Sequence, residues 1–448
     1  MVAEDTLEKY GLFNAKVPRY TSYPPANLFI PDAGRRFQLP WLNDVKDNEA
    51  LSLYVHIPFC RRLCWFCACR TQGTRTFRPV ETYVNAVLLE IAAIRRHLPP
   101  QVSVSRLHLG GGTPTLLAPA TMDKLLNCIY ENFERAADHE FSVEIDPTEA
   151  LPELLATLAD WGMNRASIGV QDFAPKVQDA VGRRQSYAET LSVVTLLRDL
   201  GVRSLNLDVL YGLPHQTQDT LAETLNQVIC IHPDRLALYG YAHVPKISKR
   251  QVMIDEDALP GPRTRHRMAQ MAHGAMVDHG YVPLGIDHFA LPDDSLATAS
   301  AAGTLRRNFQ GYTDDPCETL IGFGASAISQ FRAGFLQNAV ATAAYSERIA
   351  DTGLAAHKGV ALSSDDRVVG NMIHELMCYG SIRLSTLGGT VGTRAHDILT
   401  SLQHEFADVV SFDGDLFNIY PEAKSITRLI AASLDGYDRT RMRHSAAI

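Results

Sequence analysis

Four cysteines within ten residues are the feature of this chain that most directly suggests chemistry. Cys60, Cys64 and Cys67 have the spacing C-x3-C-x2-C, and Cys69 follows two residues later. Three thiolates on one short loop can hold three corners of a cubane iron–sulfur cluster and leave its fourth iron open to a substrate. A zinc site would pair the first knuckle with a second one or with histidines, and a ferredoxin would add a fourth ligating cysteine, typically followed by proline. Neither pattern fits this loop.

The cysteine loop directly follows the first of six predicted strands. The strands alternate apolar and polar residues, and amphipathic helical stretches separate them, which predicts a parallel sheet with right-handed crossovers. Strands are predicted at 51–57, 105–110, 140–145, 165–170, 204–211 and 235–242. Six units rather than eight favour an α/β fold built as a partial (βα)6 TIM-like barrel, with functional residues at the C-terminal ends of the strands.

The interior of this barrel is predicted to be polar. An ordinary TIM barrel fills its interior with branched apolar side chains. The strand face that should point inward here carries polar and aromatic residues, namely Tyr54, His56, Glu144, Gln171, Asp208, Tyr239 and Tyr241. Such a lumen predicts a cavity for a large ligand.

Three regions are predicted: an N-terminal arm at 1–49, the barrel at 50–350 and a C-terminal domain at 351–448. The arm contains PRYTSYPP, which is too rich in proline and aromatic residues for a free tail. It is expected to be ordered, either packed on the barrel or forming a lid over the substrate. The C-terminal region predicts a mostly helical, winged-helix-like domain with a hairpin around Asp413-Gly414.

The composition argues against several classes of protein. The 448 residues are 46% hydrophobic and 21% charged, which is ordinary for a globular enzyme, and the net charge of −8 argues against a nucleic-acid binder. The acidic, polar N-terminal residues predict no secretory signal, and the lack of an apolar run of 18 residues predicts no membrane insertion. The four remaining cysteines are scattered and predict buried free thiols. We therefore expect a cytoplasmic protein, and a monomer.

The motifs resemble those of the oxygen-independent coproporphyrinogen III oxidases, which are radical S-adenosylmethionine (SAM) enzymes. C-x3-C-x2-C is the radical SAM signature, and YVHIPFCRRLCWFCACR adds the family's extra cysteine. The resemblance spans residues 15–345 in ordered blocks, among them PRYTSYPP, HLGGGTPT, VEIDP, GVQDF, LDVLYGLPHQT, YAHVP, GIDHFALPDD and RNFQGYT.

The resemblance implies two cofactors, a [4Fe–4S] cluster held by Cys60, Cys64 and Cys67, and SAM bound to its open iron. Glu144 would accept a hydrogen bond from the amino group of SAM, Arg183 would bind its carboxylate, and Asp208 would bind its ribose. The matching SAM contacts are Tyr54, Phe66, Gly111, Gly112, Thr113, Glu144, Gln171, Arg183, Asp208, Ala242 and Ile328. The implied catalytic residues are Cys69, Tyr54 and His56.

The implied reaction is the oxidative decarboxylation of two propionates of coproporphyrinogen III to vinyl groups, without O2, in haem biosynthesis. The implied partners are this tetrapyrrole, a flavodoxin- or ferredoxin-like electron donor and an electron acceptor, with no nucleic acid and no membrane. Arg19, Arg306 and Arg307 are candidate cations for the substrate's propionates.

Three alternatives stay open at this point. A haem-binding chaperone of the same superfamily would lack Cys69 and the PRYTSYPP arm, both of which this chain has. A radical SAM enzyme for another tetrapyrrole is suggested by Leu291 and by Val369-Gly370, which stand where arginines are familiar in the family. A zinc-binding nucleic-acid module is opposed by the acidic charge and the missing second knuckle.

Overall fold

The computed structural model describes residues 3–387, 392–437 and 446–448. Its strands are β1 Ile30–Pro31, β2 Ala50–Ile57, β3 Phe59–Cys60, β4 Gln72–Gly73, β5 Ser103–Gly111, β6 Glu134–Ile145, β7 Arg165–Gln171, β8 Ser204–Tyr211, β9 Arg235–Gly240, β10 Val282–Leu284, β11 His288–Ala290, β12 Arg306–Asn308, β13 Gly311–Thr313, β14 Thr319–Phe323, β15 Ile328–Phe331, β16 Gly334–Asn338, β17 Ala356–Ala361, β18 Ser381–Arg383, β19 Val410–Phe412 and β20 Leu416–Ile419. Its α-helices are α1 Glu4–Lys9, α2 Ala33–Asn43, α3 Arg78–Arg95, α4 Pro119–Asn132, α5 Pro152–Asp160, α6 Pro175–Ala180, α7 Tyr187–Asp199, α8 Gln218–Ile231, α9 Pro262–Asp278, α10 Ser295–Ala301, α11 Thr342–Thr352, α12 Ser364–Tyr379, α13 Gly392–Glu405 and α14 Thr427–Leu434.

The large sheet contains a run of parallel strands in the order β14-β2-β5-β6-β7-β8-β9. Its last six strands are the six predicted from the sequence, and that prediction is confirmed. Strand β14 was not predicted; it pairs with β2 so that Gly322 lies beside Tyr54. Antiparallel strands extend the sheet on both sides, through β15, β16, β17 and β1 at one end and β11 and β10 at the other.

Helix ends follow local side-chain chemistry. Ser186 and Glu189 form a reciprocal capping box at the start of α7, and Ser363 and Asp366 form one at the start of α12. Each box satisfies two backbone N–H groups that the helix itself leaves unpaired. Ser363 is therefore the N-cap residue of α12.

The predicted division of the strands into an apolar and a polar face is confirmed. On β2, Leu53, Val55 and Ile57 are buried in the main core together with the surrounding helices. The opposite faces line a polar lumen of about 240 Å³, to which Glu144 and Asp208 contribute. The unfilled space thus lies inside the barrel.

Tyr241 departs from the expected pattern. Its strand was predicted to run to residue 242, but β9 ends at Gly240. Beyond that point Tyr241 packs with Leu210 and Leu213 in a small apolar cluster, and its hydroxyl lies 2.9 Å from Nδ1 of His243. The strand alternation cannot extend past Gly240, so Tyr241 lies outside the lumen.

A second hydrophobic core joins the N-terminal arm to the C-terminal region. Leu12 and Tyr20 of the arm are buried there with Leu376 of α12 and Ile430 of α14. The predicted hairpin is confirmed, because β19 and β20 pair antiparallel around Asp413-Gly414. The boundaries at residues 50 and 351 stay a prediction. Within the described ranges, no helix combines the length and the apolar character needed to cross a membrane.

Candidate functional site

The cysteine loop lies across the mouth of the barrel. It leaves β2 and is fixed to segments that follow more distant strands. The N–H of Trp65 donates to the carbonyl of Val181 at 2.9 Å, after β7. The side chain of Gln251, after β9, donates to the carbonyl of Phe66 at 2.7 Å. The loop is thus held on both sides of the mouth.

The four thiols of this loop differ in their surroundings. Cys64 is buried, Cys60 and Cys67 are partly buried, and Cys69 is exposed. Burial raises the pKa of Cys60 to about 11. A hydrogen bond from Cys69 holds the pKa of Cys67 below its usual value and raises the pKa of Cys69 itself. The extra cysteine therefore lies within reach of the third cysteine of the triplet.

The donor set of the loop is chemically suited to a cubane cluster. Among the described residues, no three His, Cys, Asp or Glu side chains converge as the ligands of one metal ion. A tetrahedral zinc site requires such convergence. A cubane cluster requires one thiolate for each of several separate irons, which is what three cysteines spread along one loop supply.

The three glycines at the end of β5, Gly110, Gly111 and Gly112, allow unusually close packing around Glu144. Gly111 has φ +113°, and its N–H donates to Oε2 of Glu144 at 2.8 Å. A Cβ at residue 110 would lie 2.9 Å from Oε1 of Glu144, and one at residue 111 would lie 2.5 Å from the ring of His56. Any larger residue at these positions would displace the polar side chains of the lumen.

Glu144 is a carboxylate of the lumen with two well-defined partners. Its Oε1 lies 3.5 Å from Nε2 of His108, whose Nδ1 lies 2.5 Å from the hydroxyl of Ser142. Burial alone would raise the pKa of Glu144, but the contacts with His108 and the N–H of Gly111 hold this pKa below its usual value. Glu144 is therefore a stable anion that can accept hydrogen bonds from a cationic ligand.

Asp208 lies in the same lumen, but the hydrogen-bond donors to its carboxylate are neutral groups. Its carboxylate accepts hydrogen bonds from Asn206 at 2.8 Å and from Ser167 at 3.3 Å. Burial, followed by repulsion from Glu144, raises its pKa to about 6. Asp208 thus changes its charge near neutral pH.

Arg183 connects the cysteine loop to β7. Its Nη1 donates to Asp146 at 3.0 Å and lies 3.6 Å from Sγ of Cys64. Its Nη2 donates to the carbonyl of Gly169 at 2.8 Å. Its Nε is buried and has no hydrogen-bond partner among the described residues. One donor of this guanidinium is therefore left for a ligand beside the cysteines.

Tyr54 and His56, both on β2, are connected by a hydrogen bond. Nε2 of His56 lies 3.1 Å from the carbonyl of Arg70, and its Nδ1 lies 2.9 Å from the hydroxyl of Tyr54. Because a carbonyl can only accept, Nε2 carries the proton and Nδ1 accepts from Tyr54. Burial lowers the pKa of His56 and raises that of Tyr54, so both are neutral at physiological pH.

The remaining predicted residues lie around this centre. Thr113 hydrogen-bonds Cys60, which connects the glycine turn to the cysteines. The carbonyls of Phe66 and Ala242 both accept hydrogen bonds from the side-chain amide of Gln251. Gln171 ends β7. Ile328 lies on β15, which is separated from β2 by β14, so it is the most peripheral of the predicted SAM contacts.

A basic pocket of about 360 Å³ adjoins the lumen, and His288 lines both cavities. Its lining combines two acidic residues, Asp287 and Glu422, with five cationic ones, Arg19, Arg265, Arg307, Lys424 and Arg428. Burial and the neighbouring Arg19 lower the pKa of Arg428 to about 9. The pocket therefore holds an excess of positive charge.

Several donors of this basic pocket are free for a ligand. The Nε of Arg265 and the Nε and Nη1 of Arg307 are buried without a hydrogen-bond partner among the described residues. Both ring nitrogens of His266 also lack a partner there, and one of them is a donor in the neutral ring. Buried donors are normally paired. Unpaired donors around an empty cavity point to an anionic ligand.

Sequence patterns could have found some of the missed residues. His108, Ser167 and Asn206 lie on the polar faces of predicted strands, and the period-two alternation predicts that they face the lumen. Arg265 and Arg428 come from helices distant in sequence and carry no recognisable spacing. Only the packing of α9 and α14 brings them into one pocket.

Comparison with known proteins gives concordant findings. Residues 54–228 match the radical SAM superfamily. The oxygen-independent coproporphyrinogen III oxidase of Paracoccus denitrificans is 48% identical over 451 residues, covering 100% of both chains. That of Escherichia coli is 40% identical over 369 residues, covering 82% of this chain and 80% of the relative.

The solved structures agree with these relatives. The structure of coproporphyrinogen III oxidase from Escherichia coli, described as a radical SAM enzyme, superposes with a TM-score of 0.90 at 35% identity. The match covers 95% of this chain and 100% of the other. The likeness therefore includes the N-terminal and C-terminal regions as well as the barrel.

Proposed function

The chain belongs to the oxygen-independent coproporphyrinogen III oxidases of the radical SAM superfamily, and from this membership we propose its reaction. It converts two propionate side chains of coproporphyrinogen III into vinyl groups without O2, giving protoporphyrinogen IX. Each conversion removes CO2, one hydrogen atom and one electron from the side chain. Two cycles complete the product.

The cofactors are a [4Fe–4S] cluster and SAM, and the cysteine loop is the place where the chain can hold both. Cys60, Cys64 and Cys67 would ligate the cluster. When bound, the reduced cluster supplies the electron that cleaves SAM to the 5′-deoxyadenosyl radical, which removes a hydrogen atom from the propionate β-carbon. Cys69 lies beside the ligands without being needed as one.

Two charged side chains suit the methionine end of SAM. Glu144 is held as an anion by His108 and Gly111, so it can accept hydrogen bonds from the amino group. The unpaired Nε of Arg183 can donate to the carboxylate. Asp208 has acceptor capacity left for the hydroxyls of the ribose.

The lumen also protects the reacting centre. The loop lies across the mouth. Tyr54 and His56 hydrogen-bond each other, and His56 also hydrogen-bonds the carbonyl of Arg70. Such cover over the lumen limits the access of water to the reacting centre. The neutral Tyr54–His56 pair adds no charge near the radical.

The basic pocket is the observation that carries the choice of substrate. Coproporphyrinogen III has four carboxylates, and a buried surplus of cations with unpaired donors is the complementary environment. The pocket meets the lumen at His288. One part of the macrocycle can therefore present a propionate to the lumen while other propionates are held by Arg265 and Arg307.

The departures from the family pattern lie away from this pocket. Leu291 packs against the main core, and its N–H donates to the carbonyl of Asp234 at 2.9 Å. Val369 packs against the second core. Neither residue lines the basic pocket, so these substitutions leave the proposed propionate contacts in place.

An anaerobic assay tests the function directly. The reconstituted protein is incubated with SAM, a chemical reductant and coproporphyrinogen III, and CO2 and the product mass are measured. We expect two CO2 and two 5′-deoxyadenosine for each protoporphyrinogen IX, and none from a Cys64→Ala variant. Tight haem binding without decarboxylation would instead identify a chaperone, and turnover of a different tetrapyrrole alone would replace the substrate.

A further inference from the structure

The surface around the cysteine loop is strongly positive, although the chain as a whole carries a net charge of −8. Residues 60–78 contain five arginines and no acidic residue. Residues 244–253 contain Lys246, Lys249 and Arg250 and no acidic residue. Two short segments therefore concentrate positive charge on an acidic protein.

These two segments are in contact, so their charges form one surface. The hydroxyl of Ser248 donates to the carbonyl of Cys67 at 2.9 Å, and the guanidinium of Arg250 hydrogen-bonds the carbonyl of Thr71. The second segment thus packs on the backbone of the loop, directly beside a cysteine of the triplet. We call residues 60–78 and 244–253 together the loop face.

Four of the eight cationic side chains of the loop face extend into solvent without an internal partner in the described part of the chain. Arg75, Arg78, Lys246 and Lys249 are exposed, and the described residues provide none of them with an ion-pair partner. Arg61 differs, because its Nε lies 3.0 Å from Glu149. A patch of unpaired, exposed cations attracts acidic surfaces over a Debye length of about 8–10 Å at physiological salt.

The loop face is also unusually apolar. Five of the eleven large hydrophobic residues that are exposed in the described chain belong to it, namely Leu63, Phe77, Ile247, Val252 and Met253. Exposed apolar side chains between unpaired charges are typical of protein-binding surfaces rather than of ordinary solvated ones. The acidic run at 255–257 marks where the positive surface ends.

We propose that the loop face is the docking surface for a small acidic one-electron carrier protein, which reduces the cluster. This rests on the proposed function, since the oxidised cluster must gain one electron before each SAM cleavage. The carrier loses one electron and the cluster gains it, with no bond made or broken. The two segments of the loop face meet where Ser248 hydrogen-bonds the backbone of Cys67, a proposed cluster ligand. A carrier bound there lies close to the cluster, so the distance of electron transfer is short.

A competing explanation is that the positive charge only compensates the cluster thiolates. The two explanations make different predictions for Lys246 and Lys249, whose side chains are exposed to solvent. Compensation predicts a shift of the cluster potential with any reductant. Docking predicts that the rate of cluster reduction falls only when the electron donor is a protein, and that this fall is largest at low ionic strength.

The test uses the reconstituted enzyme, a purified flavodoxin as the probe, and the double variant Lys246→Glu/Lys249→Glu. The control is Arg35→Glu/Arg203→Glu, which makes the same charge change at exposed sites on α2 and before β8. Stopped-flow bleaching of the cluster gives the reduction rate, and equilibrium titration gives the midpoint potential.

We expect flavodoxin to reduce the loop-face variant at least about tenfold more slowly than the control at low salt, with the difference shrinking as salt increases. Reduction by dithionite, the midpoint potential and dithionite-driven turnover should match the control. Equal flavodoxin rates in both variants would overturn the proposal, as would a changed potential that accounts for the whole effect. Absence of dithionite-driven turnover in the wild type would contradict the proposed function instead.

Discussion

Glu144 and Asp208 are two half-buried carboxylates of one lumen whose pKa values are shifted in opposite directions. Glu144 has a histidine and a backbone N–H as partners, whereas Asp208 has only an amide and a weakly placed hydroxyl. The first therefore keeps its charge at all physiological pH values, and the second does not. SAM binding should consequently depend on pH through Asp208.

Affinity for SAM is expected to fall as the pH falls through about 6, where Asp208 becomes protonated and loses acceptor capacity. The Asp208→Asn variant should bind about tenfold more weakly at pH 8 and show a flatter profile between pH 5.5 and 8. Anaerobic calorimetry measures both. Parallel pH profiles in the two proteins would exclude Asp208 from the SAM site.

Glu144→Gln should weaken SAM binding by about tenfold or more at every pH in this range, because it removes a charge-assisted hydrogen bond. Cluster content is the control and should be unchanged. SAM affinity equal to that of the wild type would mean that the anion next to Gly111 serves only the packing of the glycine turn.

The cysteines should separate into ligands and a non-ligand. Alanine at Cys60, Cys64 or Cys67 should abolish both the iron content and SAM cleavage, since each supplies one of three protein ligands. Cys69→Ser should keep a full cluster yet lose most coproporphyrinogen turnover. Iron per chain and anaerobic product yield decide the matter: lost iron makes Cys69 a ligand, and full yield leaves it without a catalytic role.

At the level of elements, alternation in the sequence was sufficient to predict the six strands from β2 to β9 and the polar lumen. It could not predict β14, because the parallel pairing of this strand with β2 is set by packing across the sheet and not by a local sequence pattern. The same limit explains Tyr241, where the strand ends early, and the basic pocket, whose cations lie on separate helices. Residue types with a motif were found; convergence of distant side chains was not.

A buried network on the outer side of the barrel connects α3 to the β14 region. Both oxygens of Glu90 accept hydrogen bonds, from the N–H of Gly324 at 2.8 Å, from Asn338 at 2.8 Å and from Tyr345 at 2.7 Å. Burial nevertheless raises the pKa of Glu90 from 4.5 to about 7. The network therefore loses stability as the carboxyl ionises.

Glu90→Gln tests this network. A carboxyl with a raised folded-state pKa contributes stability below its unfolded pKa of 4.5, and this contribution is lost as the pH rises through about 7. Between pH 5.5 and 8, the free energy of unfolding of the wild type should fall by about 2 kcal/mol relative to the variant. Urea unfolding at both pH values gives this difference, and an identical pH dependence would contradict the assignment.

At the scale of the whole molecule, the basic pocket joins the arm, the barrel and the C-terminal region. Arg19 of the arm donates to the carbonyl of Gly240 at the end of β9, and Arg307 donates to the carbonyl of Arg19. Arg428 of α14 donates to the carbonyl of Val17. Substrate binding should therefore depend on contacts between all three regions.

Arg265→Gln and Arg307→Gln should each raise the KM for coproporphyrinogen III by about tenfold or more, because each removes a charged donor to a carboxylate. SAM affinity should be unchanged. Arg267→Gln is the matched control, since this exposed residue of α9 pairs with Glu4 and, within the described ranges, with no other acidic residue. If KM for the tetrapyrrole equals that of the control in both variants, the propionates bind elsewhere.

The packing of the arm against the C-terminal core also sets an order of events during synthesis on the ribosome. Leu7 of the arm is buried with Met372 of α12, so it must wait for a partner translated far later, roughly twenty to seventy seconds at ordinary elongation rates. The barrel strands are completed within that interval, and their neighbours are nearer in sequence. The nascent barrel is thus formed while Leu7 and the other apolar residues of the arm still lack their C-terminal partners, so the second core is completed after the first.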